Sequence, residues 1–204
     1  MIKMIILAIG AHPDDIELGC GGTIAKHNKK GDQCYFLIMS YGEMGGTPKE
    51  KRKMEAEKSG ASLGVRRIFF LGLPDTNISY THETIDKIER IIDQVKPDQV
   101  YTHSPKDIHQ DHLNTALASI TATRKILNVF SYESPSIYPN FSPQLYVNIE
   151  ETLGLKLRAI KSYSSQNNKF YVHSKAIKGL AVFRGLQVGL KYAEAFETVR
   201  MIML

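Results

Sequence analysis

Residues 4–10 read MIILAIG, and the next five residues, 11–15, read AHPDD. The first stretch is a continuous apolar run, which is typical of a strand buried on both faces of a sheet. The second stretch places an imidazole and two adjacent carboxylates where that strand ends. In open α/β sheets, binding sites lie at the carboxyl ends of the strands. The two stretches together therefore predict an α/β fold whose functional site begins at residue 11.

Strand-like and helical segments alternate through most of the chain. Strands are predicted at residues 2–9, 33–39, 67–71, 99–103 and 128–133, with helices between them at 16–30, 49–63, 81–95 and 113–127. This order is typical of a mostly parallel sheet flanked by helices, and 204 residues suit a single Rossmann-like domain over residues 1–204. Beyond residue 134 the pattern weakens, and we predict a strand at 145–149 and helices at 151–162 and 173–184.

The charge pattern favours a small-molecule substrate over nucleic acid. The formal net charge is +5, but the basic residues are dispersed. In residues 49–58 they are interleaved with glutamates, as on a solvated helix face. We therefore expect no nucleic-acid partner, while the basic balance is compatible with an anionic group on a small substrate.

The two cysteines, Cys20 and Cys34, are too few for a disulfide framework, which favours a cytoplasmic location. Cys20 lies close to the first motif and could ligate zinc, but packing of a small buried thiol is the favoured interpretation. No run of residues approaches the length of a membrane span. A buried first strand explains the apolar N-terminal run better than a signal peptide does.

A second polar cluster, HQDH at residues 109–112, follows another predicted strand. A catalytic zinc site uses about three protein ligands and keeps a further position open. His12, Asp15 and His112 supply two imidazoles and a carboxylate. Each residue alone is commonly structural, but together they predict a metal-dependent hydrolase that uses Zn²⁺, with Fe²⁺ as a second ion that such a set can hold.

The remaining residues of the two motifs have candidate catalytic roles. Asp14 is the candidate general base, with support of a metal ligand as the alternative. His109 can stabilise a developing oxyanion or act as a further metal ligand. Asp111 is expected to hydrogen-bond and orient His109; capping of the helix that begins at His112 is compatible with that role.

Glycines accompany the motifs without forming a dinucleotide-binding fingerprint. Gly19, Gly21 and Gly22 more simply let the first helix pack closely on the sheet. The glycine-rich segment 42–48 is predicted to be a loop at the same sheet edge as the motifs, where it would cover the site.

With these two motifs, the chain resembles the PIG-L/LmbE-like deacetylases, which are zinc-dependent enzymes that remove acetyl from N-acetylglucosamine attached to another group. AHPDD at 11–15 and HQDH at 109–112 match the two motifs of that family. The resemblance implies His12, Asp15 and His112 as zinc ligands and Asp14 as the general base. It also implies His109 as an electrostatic partner or acid, oriented by Asp111.

Three segments outside the motifs extend the resemblance. Residues 163–166 read YSSQ, and Arg52 and Tyr192 match residues that face the substrate in that family. A surface charge for Arg52 and core packing for Tyr192 are the alternatives. The implied partner is an amino-sugar conjugate whose second group the sequence does not identify, and assembly into a homo-oligomer is a family-level expectation.

The reaction implied by the resemblance is hydrolysis of an N-acetyl amide to acetate and a free amino sugar. Two other classes stay open. One is a mononuclear iron oxygenase, because two histidines and a carboxylate also describe that site. The other is a carbohydrate-binding or nucleic-acid-binding module without catalysis. Dependence on oxygen would identify the first, and sugar binding without acetate release would identify the second.

Overall fold

Seven strands form one sheet in the computed structural model, which describes residues 3–202. In chain order the strands are β1 (Ile5–Gly10), β2 (Gln33–Ser40), β3 (Arg67–Leu73), β4 (Gln99–His103), β5 (Asn128–Tyr132), β6 (Leu145–Asn148) and β7 (Ala193–Arg200). The α-helices across the described range are α1 (Asp15–Lys29), α2 (Lys49–Leu63), α3 (His82–Val95), α4 (Gln110–Ala122), α5 (Leu153–Lys161) and α6 (Ser174–Leu186). The predicted α/β class with a mostly parallel, Rossmann-like sheet is confirmed.

The strand order explains where a site can form. The order is β3-β2-β1-β4-β5-β7-β6, with β1 to β5 parallel and β7 antiparallel to both of its neighbours. The chain moves outward from β1 to β3 and then returns to place β4 on the other side of β1. Such a reversal opens a crevice at the carboxyl ends of the two central strands. AHPDD leaves β1 at this crevice, and HQDH follows β4.

Apolar side chains fill both faces of the sheet. Along β1, Ile6 and Ala8 belong to a core with residues of α1, α2 and α5, whereas Leu7 and Ile9 belong to a core with residues of α3 and α4. Because helices cover both faces, β1 carries no polar alternation. The apolar run at residues 4–10 is thus the sequence signature of a central strand.

Helix α1 packs closely on the sheet. A Cβ atom on Gly19 would overlap the ring of Tyr132, and one on Gly22 would lie 2.9 Å from the side chain of Ile149. The prediction that these glycines permit close packing is confirmed at both positions. At Gly21 the nearest side-chain atom would lie at 3.4 Å, an ordinary contact, so close approach does not require glycine there.

Helix α1 also bends, at Cys20, whose φ of −140° and ψ of 18° are not helical. Beyond the bend, the backbone amides of Gly22 and Thr23 donate hydrogen bonds of 2.8 and 2.7 Å to the carboxylate of Glu194 in β7. Lys156 of α5 donates to the same carboxylate at 2.7 Å. Glu194 therefore caps the second part of α1 from a strand far away in the sequence.

The main difference from the sequence-based prediction is β7. Ala193–Arg200 lacks a regular alternation of apolar and polar residues, so its pattern does not predict a strand. Helix α4 begins three residues before its predicted start, where His109 caps it, and it ends at Ala122, five residues before its predicted end. The other elements agree with their predicted bounds within a few residues, and residue 2 of the first predicted strand lies outside the described range.

The helices of the described range include none that is both long enough and apolar enough to cross a membrane.

Candidate metal centre and active site

His12, Asp15 and His112 come together at the crevice between β1 and β4. One oxygen of the Asp15 carboxylate lies 3.5 Å from His12 Nδ1, and the other lies 3.4 Å from His112 Nε2. One ligand atom from each residue lies within 4.8 Å of the others. Two imidazole nitrogens and a carboxylate at this spacing could hold a metal ion.

The remaining nitrogen of each imidazole faces a carboxylate. His12 Nε2 lies 3.0 Å from Asp111 Oδ2 and 3.0 Å from Asp75 Oδ1. His112 Nδ1 lies 3.0 Å from Asp107 Oδ2. Carboxylates in this position orient metal-binding imidazoles and increase their basicity. The donor set and its supporting residues therefore fit a zinc-type ion.

Asp111 has a different partner from the one predicted. Its carboxylate accepts hydrogen bonds from the backbone amides of Thr76 and Ile78, at 2.8 and 3.1 Å, and also contacts His12. His109 Nδ1 instead accepts from the backbone amide of Asp111 at 3.2 Å. The prediction that Asp111 orients His109 is therefore wrong, because side chains two residues apart at the start of a helix point in different directions.

Asp14 is held in a strained backbone conformation. Its φ of 99° is unusual for a residue other than glycine, and such strain concentrates at functional sites. The side chain is buried, and its Oδ2 atom has no hydrogen-bond partner within residues 3–202. Burial raises the pKa of Asp14 to about 7, although the positive charge of Arg52 opposes this shift. Asp14 thus combines a buried position with a carboxylate oxygen that is free to accept a proton.

A cavity of about 510 Å³ opens above these residues. Its walls include all three candidate ligands together with Asp14, Arg52 and His109. Gly42, Met44 and Gly45 line it as well, so the 42–48 loop contributes to the walls of the site at the predicted sheet edge. His109 uses Nδ1 to cap α4, so Nε2 is the ring nitrogen that can reach a ligand in this cavity.

Comparison with known proteins identifies the family. The family model described as PIG-L, GlcNAc-PI de-N-acetylase, matches residues 7–123, more than half of the chain. The chain belongs to the PIG-L family. The resemblance inferred from the two motifs is confirmed, and the matched segment contains both of them.

Relatives of this PIG-L protein match over most of its length. The uncharacterized deacetylase YaiS of Escherichia coli is 38% identical over 167 residues, which cover 78% of the chain and 90% of the relative. The diacetylchitobiose deacetylase of Thermococcus kodakarensis is 29% identical over 225 residues, which cover 98% and 84%. The structure of the conserved protein TT1542 from Thermus thermophilus superposes with a TM-score of 0.90 at 27% identity and covers 99% of the chain and 97% of that protein.

The fold of the family does not by itself fix the reaction. The 4-carboxy-2-hydroxymuconate hydratase of Pseudomonas putida KT2440 superposes with a TM-score of 0.86 over the full chain at 20% identity, covering 98% of that protein. At that identity the likeness concerns the fold alone.

Arg52 is buried in this PIG-L protein, with 3% of its surface exposed, so it is not a surface charge. Its Nη2 atom donates to the Pro13 carbonyl at 2.5 Å and lies 3.7 Å from Asp14 Oδ1. Its Nη1 atom donates to Ser165 Oγ at 3.4 Å. Arg52 lines the cavity, but these contacts tie α2 to the AHPDD turn and to the YSSQ segment. They favour a role in positioning Asp14.

Tyr192 lies outside the cavity, contrary to the sequence-based prediction. It packs against an apolar cluster that includes Ile149 and Leu153, with Lys191 Nζ 5.6 Å from the centre of its ring. Tyr171 lines the cavity instead. Burial raises the pKa of Tyr171, so the cavity wall carries a neutral phenol at this point. No motif marks Tyr171, and the sequence offered no specific signal for it.

His103 is a further buried residue of the centre that sequence reasoning did not select. Its Nε2 atom lies 3.1 Å from Asp15 Oδ2. Burial and the nearby His112 lower the pKa of His103 to about 4, which favours a neutral ring against the Asp15 carboxylate. The position of His103 at the end of β4, directly before the second motif loop, is the signal that could have identified it.

Cys20 contributes to none of the potential metal-binding groups of the described chain. It is a free, fully buried thiol in the core beneath α1. The interpretation of Cys20 as a packing residue is confirmed.

Proposed function

We propose that this PIG-L protein is a metal-dependent N-deacetylase that hydrolyses the acetamido group of an N-acetylglucosamine-type conjugate. The products are acetate and a free amino sugar. The observation that carries the proposal is the buried Asp14 carboxylate, which has an unpartnered oxygen beside the His12, Asp15 and His112 group. The reactions named for the relatives from E. coli and T. kodakarensis support the same class.

His12 Nδ1, the Asp15 carboxylate and His112 Nε2 would hold the ion, for which we propose Zn²⁺. A bound Zn²⁺ would polarise the amide carbonyl and lower the pKa of water at the site. The chain contributes the geometry: Asp111 and Asp75 hold the outer nitrogen of His12, so its Nδ1 faces Asp15.

Asp14 acts as the base and then as the acid. Its free Oδ2 accepts a proton from the attacking water and later gives it to the departing amine nitrogen, so the carboxylate ends as it began. Arg52 anchors the Pro13 carbonyl next to Asp14 and so helps to hold this oxygen in place.

His109 supplies a hydrogen bond to the developing oxyanion. Its Nδ1 is committed to the Asp111 amide, which places the ring proton on Nε2. A neutral imidazole in this tautomer donates toward the cavity without a change of charge.

The first experiment measures acetate release by the zinc-loaded protein from a panel of N-acetylglucosamine compounds. The panel includes the free sugar, diacetylchitobiose and conjugates with malate, inositol, phosphoinositide and nucleotide. Asp14→Asn should lower turnover by about two to four orders of magnitude and retain the metal. Asp93→Asn, an exposed carboxylate on α3, is the matched control and should leave turnover unchanged.

Three outcomes separate the alternatives. Full activity in Asp14→Asn would contradict its role as the acid and base. Sugar binding without acetate release from any compound would favour a binding module. Turnover that requires oxygen and a keto acid would favour the iron oxygenase.

We also propose a cytoplasmic location, supported by the two cysteines, which remain free, buried thiols.

A further inference from the structure

A second cavity of about 260 Å³ lies beside the metal-site cavity. Leu18, Pro135 and Tyr171 line both cavities. Leu18 belongs to the first turn of α1, three residues after Asp15 of the AHPDD motif. The two cavities therefore share a wall that starts at the metal centre.

The walls of the second cavity are largely apolar. Phe170, Ile177, Leu180 and Ala181 contribute to them. For comparison, an apolar cavity of about 150 Å³ in another protein stays dry and binds benzene. The second cavity is large enough for an aromatic ring or a short alkyl chain.

The charged residues of this wall neutralise one another. Arg184 forms two hydrogen bonds with Glu133, at 2.6 and 2.8 Å. Lys156 pairs with Glu194 at 2.7 Å. All four charged side chains that line the cavity are thus paired with one another. The cavity therefore presents no unpaired charge to a bound group.

We propose that this second cavity, defined by Leu18, Phe170, Ile177, Leu180 and Arg184, binds an apolar group of the substrate, an alkyl chain or an aryl ring attached to the amino sugar. The inference rests on the proposed deacetylase function, because it assigns the substrate class of that same site. The apolar group would be attached at the glycosidic position, because the proposed reaction cleaves an acetamido group and leaves the glycosidic substituent in place. An N-octanoyl compound serves as the contrary case in the test.

The kinetic test compares three substrates: free N-acetylglucosamine, its octyl β-glycoside and N-octanoylglucosamine. Octyl compounds are used below their micelle-forming concentrations. We expect an octyl group in the correct position to lower KM by about ten- to hundredfold relative to the free sugar. A gain with the octyl glycoside supports the inference. A gain with the N-octanoyl compound alone, measured as octanoate release, overturns it, because the acyl group would then occupy the cavity.

Two variants of α6 connect this gain to the cavity. Leu180 lines the cavity and is 38% exposed, so Leu180→Asp can fold while adding a charge to the wall. Leu186, on the same helix, is 73% exposed and does not line the cavity. Leu180→Asp should abolish the gain from the octyl group and leave KM for the free sugar unchanged. Leu186→Asp should behave like the unmodified protein, with circular dichroism confirming that both variants fold.

A binding experiment separates this inference from the proposed function. Octyl glucoside carries no amide, so calorimetric titration of the zinc-loaded protein with it reports binding without catalysis. Binding that Leu180→Asp removes and Leu186→Asp preserves supports the inference even if no substrate releases acetate, an outcome that would contradict the proposed function alone. Acetate release without any octyl gain, together with no octyl glucoside binding, overturns the inference and leaves the proposed function intact. Equal losses in both variants also overturn it.

Discussion

The two ends of the active site are built in different ways. The end formed by AHPDD, HQDH and the loop after β3 is a network of buried imidazoles and carboxylates in which each candidate ligand has a polar partner. The end formed after β5 consists of short helical segments, an antiparallel strand pair and α6, and it surrounds an apolar cavity. Under the proposed function, the first region would carry the chemistry and the second region would select the substrate.

The largest expected effect is the loss of a metal ligand in the first region. His112→Ala should empty the metal site and abolish acetate release, because one of only three candidate ligands is removed. Elemental analysis of the purified protein measures the bound metal. His173→Ala, an exposed histidine of the second region, is the matched control and should keep a full complement of metal. Unchanged metal content in His112→Ala would exclude it as an essential ligand.

The next effect tests whether the second region also supports the first one structurally. Glu194→Ala should lower the free energy of unfolding by about 3–5 kcal/mol, because it leaves the Lys156 ammonium buried without its partner. It also removes the acceptor for the amides of Gly22 and Thr23. Urea denaturation measures the change. Glu150→Ala breaks an exposed pair with Lys191 and should have little effect. Equal stability of the two variants would show that the regions are independent.

A smaller effect distinguishes the two interpretations of Asp111. If Asp111 supports His12, as its contacts indicate, Asp111→Asn should weaken metal affinity by about 10- to 100-fold. Asp107→Asn should do the same through His112. Competition with a chelator measures both affinities. Unchanged affinity in Asp111→Asn would contradict its role in supporting His12.

The smallest effect compares two tyrosines of the second region. Tyr171→Phe removes a hydroxyl from the cavity wall and should reduce kcat/KM by about two- to tenfold, the range expected for one hydrogen bond. Tyr192→Phe should leave kcat/KM unchanged, because that ring packs in an apolar cluster. The opposite ranking would return Tyr192 to the substrate site.

The sequence predicted the position of the site correctly where polar motif residues directly follow a strand. The apolar run of β1 located AHPDD, and the parallel order brought HQDH to the same crevice. Asp107 was not selected from the sequence, although it stands only two residues before His109. Asp75 carried no such signal, since Pro74-Asp75-Thr76 looks like any polar turn until β3 is placed in the sheet.

The second region was less predictable for physical reasons. β7 lies between two strands that are both antiparallel to it, and its small and charged residues are matched to distant partners such as α1. Tyr171 reaches the cavity through an irregular segment between α5 and α6. In both cases contacts between residues far apart in the chain fix the structure. A local pattern of apolar and polar residues cannot predict such contacts.

The position of Glu194 in the chain affects the order in which contacts form during translation. The amides of Gly22 and Thr23 are synthesised 172 and 171 residues before the carboxylate that caps them. Until residue 194 has left the ribosomal exit tunnel, the amides of Gly22 and Thr23 cannot donate to the Glu194 carboxylate. The nascent chain therefore completes this support for α1, the helix that carries Asp15, only after residue 194 has emerged.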